Sequence, residues 1–309
     1  MATAAIEPKA ESISNTPLPV MKAWVYHSSG AGPGQPKWED KPRPSIQDPG
    51  DAIVRMTTST ICGTDLHILK GDVPTVTDGR TLGHEGIGIV EQIGAGVTEF
   101  AVGGRVIISC ITSCTRCDFC RRGMPSHCKT GGWILGNRID GTQAQYVRIP
   151  HADGSLYHFP QNGDEEALVM LSDILPTGFE CGVLNGQVKP GDTIAIVGAG
   201  PVGLAVLLTA QFYSPAKIFV IDLHDNRLAV AEQLGATTVI NSSDGKAAAR
   251  VLELTAGAGV DVAIEAVGVP ETFDICQAIV GAGGRLPMLA STANRRYCTW
   301  NSSGTVTSC

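Results

Sequence analysis

The sequence predicts a two-part α/β protein: a β-rich barrel or sandwich followed by a doubly wound parallel sheet. Short β-branched runs between Gly and Pro turns fill the first half, namely MKAWVY, DAIVRMTT, IGIVEQIG, RVIIS and AQYVRIP. Strands at that spacing point to a closed or stacked sheet. From Thr193 the pattern changes to strands alternating with helices. It runs TIAIV, a helix after Pro201, KIFVID, a helix from Asn226 to Leu234, TTVI, a helix near 246–255, VDVAIEAV, a helix near 271–280, and GGRLPML. Such alternation is the signature of a parallel sheet covered on both faces. The length of 309 residues suits about two domains, and a 43% hydrophobic composition supplies their cores.

Residues 1–20 are small, polar and Pro-containing, with no apolar run of a signal peptide, and read as a disordered tail. Residues 165–184 read as helical, and no internal repeat is present. The stretch Thr193–Ala216 carries no charge and is long enough on paper to span a membrane. Gly198, Gly200, Pro201 and Gly203 break it, so a strand, a turn and a helix are expected instead. A net charge of -7 and a pI near 5.5 argue against nucleic acid and anionic membranes as partners.

The ten cysteines are unevenly placed. Cys114, Cys117, Cys120 and Cys128 give C-x2-C-x2-C-x7-C, a spacing that lets four thiolates enclose one Zn²⁺ with no open position. Disulfides are the competing reading; a cytoplasmic setting, expected here, favours the metal. Cys62 and His84 stand apart, in ICGTDLH and GHEG. Sulfur and imidazole are the donors of an open zinc site, which needs a third ligand, and Asp173 in LSDILPTG is a candidate. Each has a plain alternative: a small buried cysteine, a core histidine, a helix N-cap aspartate. Glu85 reads as a carboxylate supporting the ligands or as half of a buried ion pair. Thr64 and His67 suggest a proton path, a hydroxyl to take a proton and an imidazole to pass it to water, with a plain surface histidine as the alternative for His67.

TIAIVGAGPVG places Gly198, Gly200, Pro201, Val202 and Gly203 between an apolar strand and a helix. The first glycine makes the turn, the second admits a pyrophosphate, and the third lets helix and strand pack closely. KIFVID then ends on Asp222, where an acid accepts from the ribose hydroxyls and repels a 2′-phosphate. The reading is NAD rather than NADP, with Arg227 lying over the adenosine or in solvent.

Taken together, ICGTDLH, GHEGIGIVEQIG, VGGRV, the four-cysteine lobe, GTQAQYV, VKPGD, VGAGPVG and EAVG resemble the zinc-dependent medium-chain alcohol dehydrogenases, over about residues 21–286. The resemblance implies a GroES-like catalytic domain over 21–176 with a zinc lobe at 110–130, and a Rossmann domain over 177–290. It implies one catalytic zinc on Cys62, His84 and Asp173, with Glu85 able to visit it. It also implies a structural zinc on the four lobe cysteines and a proton relay through Thr64 and His67. An aspartate third ligand is similar to the secondary-alcohol branch. That branch often uses NADP, with a small residue where Asp222 stands, so likeness and local chemistry diverge; the Asp222 chemistry is followed. The expected substrate is a small alcohol or carbonyl.

After Gly284-Arg285 the chain reads LPMLASTANRRYCTWNSSGTVTSC, polar and aperiodic. Relatives continue with a last Rossmann strand, contacts to the nicotinamide, the edge used for subunit pairing and a return segment to the catalytic domain. Residues 291–309 are therefore expected to be an aberrant tail, the Rossmann sheet incomplete at that end, and the pairing edge of these homo-oligomers lost. Joining the last base of each codon to the first two of the next from Leu286 lets the codons spell ANVGVHGKPPVLHLE, similar to the family's continuation, so a single-base shift in the gene is expected. Three functional readings follow: a working NAD-dependent dehydrogenase, a catalytically impaired, zinc-binding remnant, and an enzyme of the same fold that reduces aldehydes such as formaldehyde adducts.

Overall fold

A computed structural model describes residues 19–30 and 33–289. The expectations for residues 1–18 and 291–309, the tail and the frame shift among them, lie outside the described residues. Strand β1, Val20–His27, starts one residue ahead of the expected boundary. It pairs with β2, Gln35–Pro42, and later with the short β4, Arg80–Thr81. β2 is absent from the sequence reading for a physical reason. QPKWEDKP is polar, holds two prolines and is mostly exposed. It sits at the edge of the sheet β2-β1-β4, where a proline costs no ladder bond.

A second antiparallel sheet has the order β7-β3-β5-β6-β8. Its members are β3 Ala52–Ser59, β5 Gly86–Ile93, β6 Arg105–Ile108, β7 Tyr146–Ile149 and β8 Leu156–His158. Its interior strand β6 is apolar on both faces because both are covered there. Val106 and Ile108 of β6 join Val54, Val90, Val147 and Ile149 in one core. Ile107, between them, turns the other way and packs with Ile87 and Val169.

The parallel sheet has the order β11-β10-β9-β12-β13. Its strands are β9 Thr193–Val197, β10 Lys217–Asp222, β11 Thr238–Asn241, β12 Val260–Glu265 and β13 Val280–Arg285. Period-two alternation serves two cores. Ile194, Ile196, Val220 and Val262 face the helices Pro201–Ala210 and Asp225–Gln233. Ala195, Val197, Phe219 and Ala263 face the helices Ala247–Leu254 and Pro270–Ile279. The chain leaves central β9 in one direction and returns on its other side as β12, so the crevice at the switch point opens beyond Val197. The uncharged stretch Thr193–Ala216 is thus a strand, a turn and a helix, and among the described residues no single helix is long and apolar enough to cross a membrane.

The two sheet systems are joined by a broken helical segment. A helix Glu165–Leu168 and a 3₁₀ turn Val169–Ser172 give way, after a bend of 50°, to a turn Ile174–Thr177 and a π-helix Gly178–Leu184. The break has an identifiable cause. Pro176 has no N–H for the carbonyl of Ser172, which accepts from Cys110 N instead at 2.9 Å. Asp173 stands at that break with φ -151°.

Candidate metal centres and nucleotide cradle

Cys62 ends the loop after β3 and caps the helix Gly63–Lys70, which the sequence reading did not foresee. Asp65, buried one turn in, accepts the Cys62 N–H at 2.9 Å and the Gln143 amide at 2.9 Å, fixing the sulfur at the head of the helix. His84 and Glu85 lie just before β5. The hydroxyls of Ser59 and Thr142 donate to the Glu85 carbonyl at 3.1 and 2.8 Å, which holds this backbone still. Asp173 arrives from the break in the connecting segment. It occupies a helix N-cap position but makes no cap hydrogen bond. Its Oδ2 is 3.1 Å from His84 Nε2 instead.

The structure therefore draws Cys62, His84, Glu85 and Asp173 together, with one ligand atom of each within 4.8 Å of the others. Residues from three separate elements supply sulfur, nitrogen and oxygen, the mixed donor set of open zinc sites. Glu85 Oε2 accepts from Thr60, while Oε1 is buried with no hydrogen-bond partner. An orphaned carboxylate oxygen beside three ligand atoms is the arrangement a cation satisfies, so these residues fit the metal. The local electrostatics agree. Burial disfavours the imidazolium, yet the Asp173 carboxylate and Cys62 outweigh it and push His84 up to about 10. Burial also opposes ionisation of Asp173, but His84, Thr177 and Cys110 hold its carboxyl below the usual range. Glu85 is pushed up, chiefly by burial.

The four lobe cysteines form a second cluster. Cys117 Sγ and Cys114 Sγ lie 3.5 and 4.0 Å from Cys120 Sγ. Backbone N–H groups aim at sulfur, from Cys117 to Cys114 Sγ at 3.4 Å and from Cys114 to Cys128 Sγ at 3.3 Å. The N–H groups of Cys120 and Lys129 bring Cys117 down to about 6. All eight described cysteines are unpaired thiols.

At the nucleotide turn, Gly198 has φ 113°, and a Cβ on Gly203 would stand 1.8 Å from the Gly198 carbonyl oxygen. Nothing lies within 4 Å of where a Gly200 Cβ would be, so that face is open, as a phosphate cradle requires. Pro201 and Val202 open the helix Pro201–Ala210. Buried Asp222 ends β10 and accepts from Ala199 N at 2.7 Å and His224 N at 2.9 Å. Arg227, half-exposed, places a guanidinium nitrogen 3.8 Å from that carboxylate.

Of the relay candidates, Thr64 Oγ1 is 3.8 Å from Cys62 Sγ. His67 turns outward and pairs with Asp72 at 2.9 Å. The sequence reading missed Thr60, Cys110 and Thr177, which touch the ligands' carboxylates. Thr177 alone carried a usable signal: it stands four residues after Asp173, on the same side of a helical turn. A cavity of about 770 Å³ is lined by Trp24, Trp38, Met56 and Leu66 but by none of the candidate ligands. It borders the cluster through Ser59, Thr60, Asp65 and Thr142, which bond to Glu85 and Cys62.

Two family models match the chain: the alcohol dehydrogenase GroES-like domain over residues 48–161 and the zinc-binding dehydrogenase over 201–302. An alcohol dehydrogenase of Cupriavidus necator is 39% identical over 286 residues, covering 87% of this chain and 76% of that protein. An NADP-dependent isopropanol dehydrogenase of Thermoanaerobacter brockii is 32% identical, covering 82% and 72%. The solved apo structure of zinc dependent alcohol dehydrogenase 2 from Streptococcus pneumonia superposes with TM-score 0.84 at 54% identity, covering 89% of this chain and 77% of that one.

Proposed function

The chain belongs to the zinc-dependent medium-chain alcohol dehydrogenases, and from that membership we propose that it oxidises small primary or secondary alcohols reversibly to aldehydes or ketones, with NAD as hydride acceptor. One observation carries the reading: the segment that brings Asp173 to the sulfur and imidazole packs, within the next two turns, on the helix that leaves the glycine turn. Gly178, beyond Asp173 on the connecting segment, lies so close to that helix that a Cβ would meet Ala205 Cβ at 2.7 Å and Val206 N at 2.8 Å. In this reading Cys62, His84 and Asp173 hold the catalytic zinc with Glu85 in reach, and Cys114, Cys117, Cys120 and Cys128 hold a structural one. The catalytic domain is taken as 21–176 and the nucleotide domain as 177–290.

Bound zinc supplies Lewis acidity, which lowers the pKa of an alcohol hydroxyl. The chain supplies orientation and a proton route. Thr64, beside the sulfur of Cys62, would accept the alcohol proton while giving up its own hydroxyl proton along the route outward. His67, held at the half-exposed rim by Asp72, releases it to solvent. Gly198, Gly200 and Gly203 let the pyrophosphate approach the N-terminus of the helix Pro201–Ala210. Asp222 supports NAD over NADP; Arg227, half-exposed, stands 3.8 Å from that acid. Clustered thiols suit a reducing compartment, and the cytoplasm is the proposed location.

The test is zinc content together with NADH formation from ethanol and 2-propanol. Cys62→Ala is expected to abolish turnover, lose one zinc and keep the four-cysteine zinc. Alcohol oxidation retained in that variant defeats the assignment.

A further inference from the structure

Asp173 is held on both sides. One oxygen, Oδ2, faces His84 Nε2 at 3.1 Å. The other, Oδ1, accepts from the hydroxyl of Thr177 and from the thiol of Cys110, whose sulfur is 3.3 Å away. Both donors are fixed by backbone. Thr177 N donates to the Asp173 carbonyl at 2.8 Å, which closes a helical turn and sets the two side chains on one face. Cys110 N donates to the Ser172 carbonyl at 2.9 Å, the acceptor that Pro176 leaves unused. The Ser172 hydroxyl is bonded to both N and O of Gly86, at 3.1 and 3.2 Å, two residues beyond His84. The carboxylate is thus tied to the same frame that carries the imidazole.

We propose that Thr177 and Cys110 are positioning residues of the catalytic metal site: they reserve Oδ1 of Asp173 and leave a single carboxylate oxygen for the ion. The inference rests on Asp173 being a zinc ligand. An ionised carboxylate only accepts hydrogen bonds, and either or both of its oxygens can bind a divalent cation. A catalytic zinc site combines three protein donors with one open position. A freely rotating aspartate that gave both oxygens would fill the position the substrate needs. Two donors on Oδ1 oppose that rotation, and neither has to touch substrate to do so. Partners of metal ligands act in this way, fixing orientation and tuning the site.

The test is chelator competition on the purified full-length protein, with the four-cysteine zinc as the internal control for folding. Thr177→Val is expected to loosen the Cys62–His84–Asp173 zinc by roughly 10–100-fold, while Thr177→Ser, which keeps the hydroxyl, restores it. Cys110→Ala is expected to act in the same direction, with Cys110→Ser as its rescue. In cobalt-loaded protein, Thr177→Val is expected to weaken the visible ligand-field bands as a second carboxylate oxygen enters. Wild-type zinc retention and cobalt spectrum in both Thr177→Val and Cys110→Ala overturn the proposal. Asp173→Asn separates the two levels. Zinc kept at wild-type strength in Asp173→Asn removes the ligand reading and the positioning role with it. Loss in Asp173→Asn alone keeps the ligand and removes only the positioning role. If Thr177→Val sheds both zincs its fold is damaged, and Cys110→Ala then decides.

Discussion

Asp222 fastens the glycine turn and, under the proposed function, also selects the cofactor; the two roles separate on substitution. Its carboxylate accepts from Ala199 N and His224 N, which fastens the end of β10 to the glycine turn. The same negative charge stands where a 2′-phosphate would have to sit. Asp222→Ser is therefore expected to raise the NADP-to-NAD ratio of kcat/KM at least about tenfold and to cost about 1–3 kcal/mol of stability from the orphaned N–H groups. Steady-state kinetics and urea unfolding measure the two effects; an unchanged ratio would show that the acid does not select the cofactor. Gly203→Ala is a purely steric case, because its methyl would stand 1.8 Å from the Gly198 carbonyl oxygen. About 1–3 kcal/mol of destabilisation and weaker nucleotide binding are expected, read by thermal unfolding with and without NAD. At this scale the glycine turn and the four-cysteine spacing were legible because their chemistry is local in sequence. Cys110 was not: it reaches Asp173 across 63 positions, and only the fold brings them together. Thr60 to Glu85 is the same kind of contact.

The connecting segment, residues 165–184, is the element on which the site turns. It brings Asp173 to the barrel side and Gly178 to the nucleotide helix, and a regular helix there would present neither correctly. Its first turn is anchored by Glu165, whose carboxylate accepts from Thr57 and Thr58 of β3 and from Arg105 of β6. Thr58, with Arg105 and Thr57, holds the Glu165 carboxyl below the usual glutamate range. A depressed folded-state value means that the ionised group stabilises the fold above the ordinary glutamate range, and that this contribution is lost as the pH falls through the depressed value. The melting temperature of Glu165→Gln should lie below that of the unaltered protein at neutral pH, with the gap closing in acid. A gap that stayed constant with pH would assign the effect to shape rather than ionisation. Elements were less legible than motifs. The helical character of 165–184 was readable, but its break was not, because Pro176 acts through a carbonyl four residues back. The eight-residue helix Gly63–Lys70 begins on a cysteine instead of a usual N-cap, and Leu66 is exposed while Ile68 is buried, so it shows no clear apolar stripe.

Across the whole molecule the two clusters differ in what they hold together. One set of candidate ligands, Cys62, His84 and Asp173, comes from three elements and joins the barrel to the connecting segment. The other lies within Cys114–Cys128, a single loop. The two-part architecture was readable from the change of hydrophobic period near Thr193, whereas the way the parts meet at Asp173 and Gly178 was not, since no local pattern encodes it. The lobe has little to hold it except its sulfurs. The helix Asp118–Arg121 and the turn Pro125–His127 bury no residue, and Arg116, Arg121, Arg122 and Lys129 are exposed. An apolar core cannot order such a loop, and under the proposed structural-zinc reading ligation would supply the ordering energy. Removing zinc from the four-cysteine cluster should therefore release the lobe while leaving both sheets folded. Limited trypsin digestion with mass spectrometry reads this directly. With zinc bound, the bonds after Arg116, Arg121, Arg122 and Lys129 should resist cleavage, and after chelation they should be cut first, with far-ultraviolet circular dichroism almost unchanged. Equal resistance with and without zinc would mean that the backbone N–H contacts to sulfur are enough to order the loop, and that the second metal has no structural task.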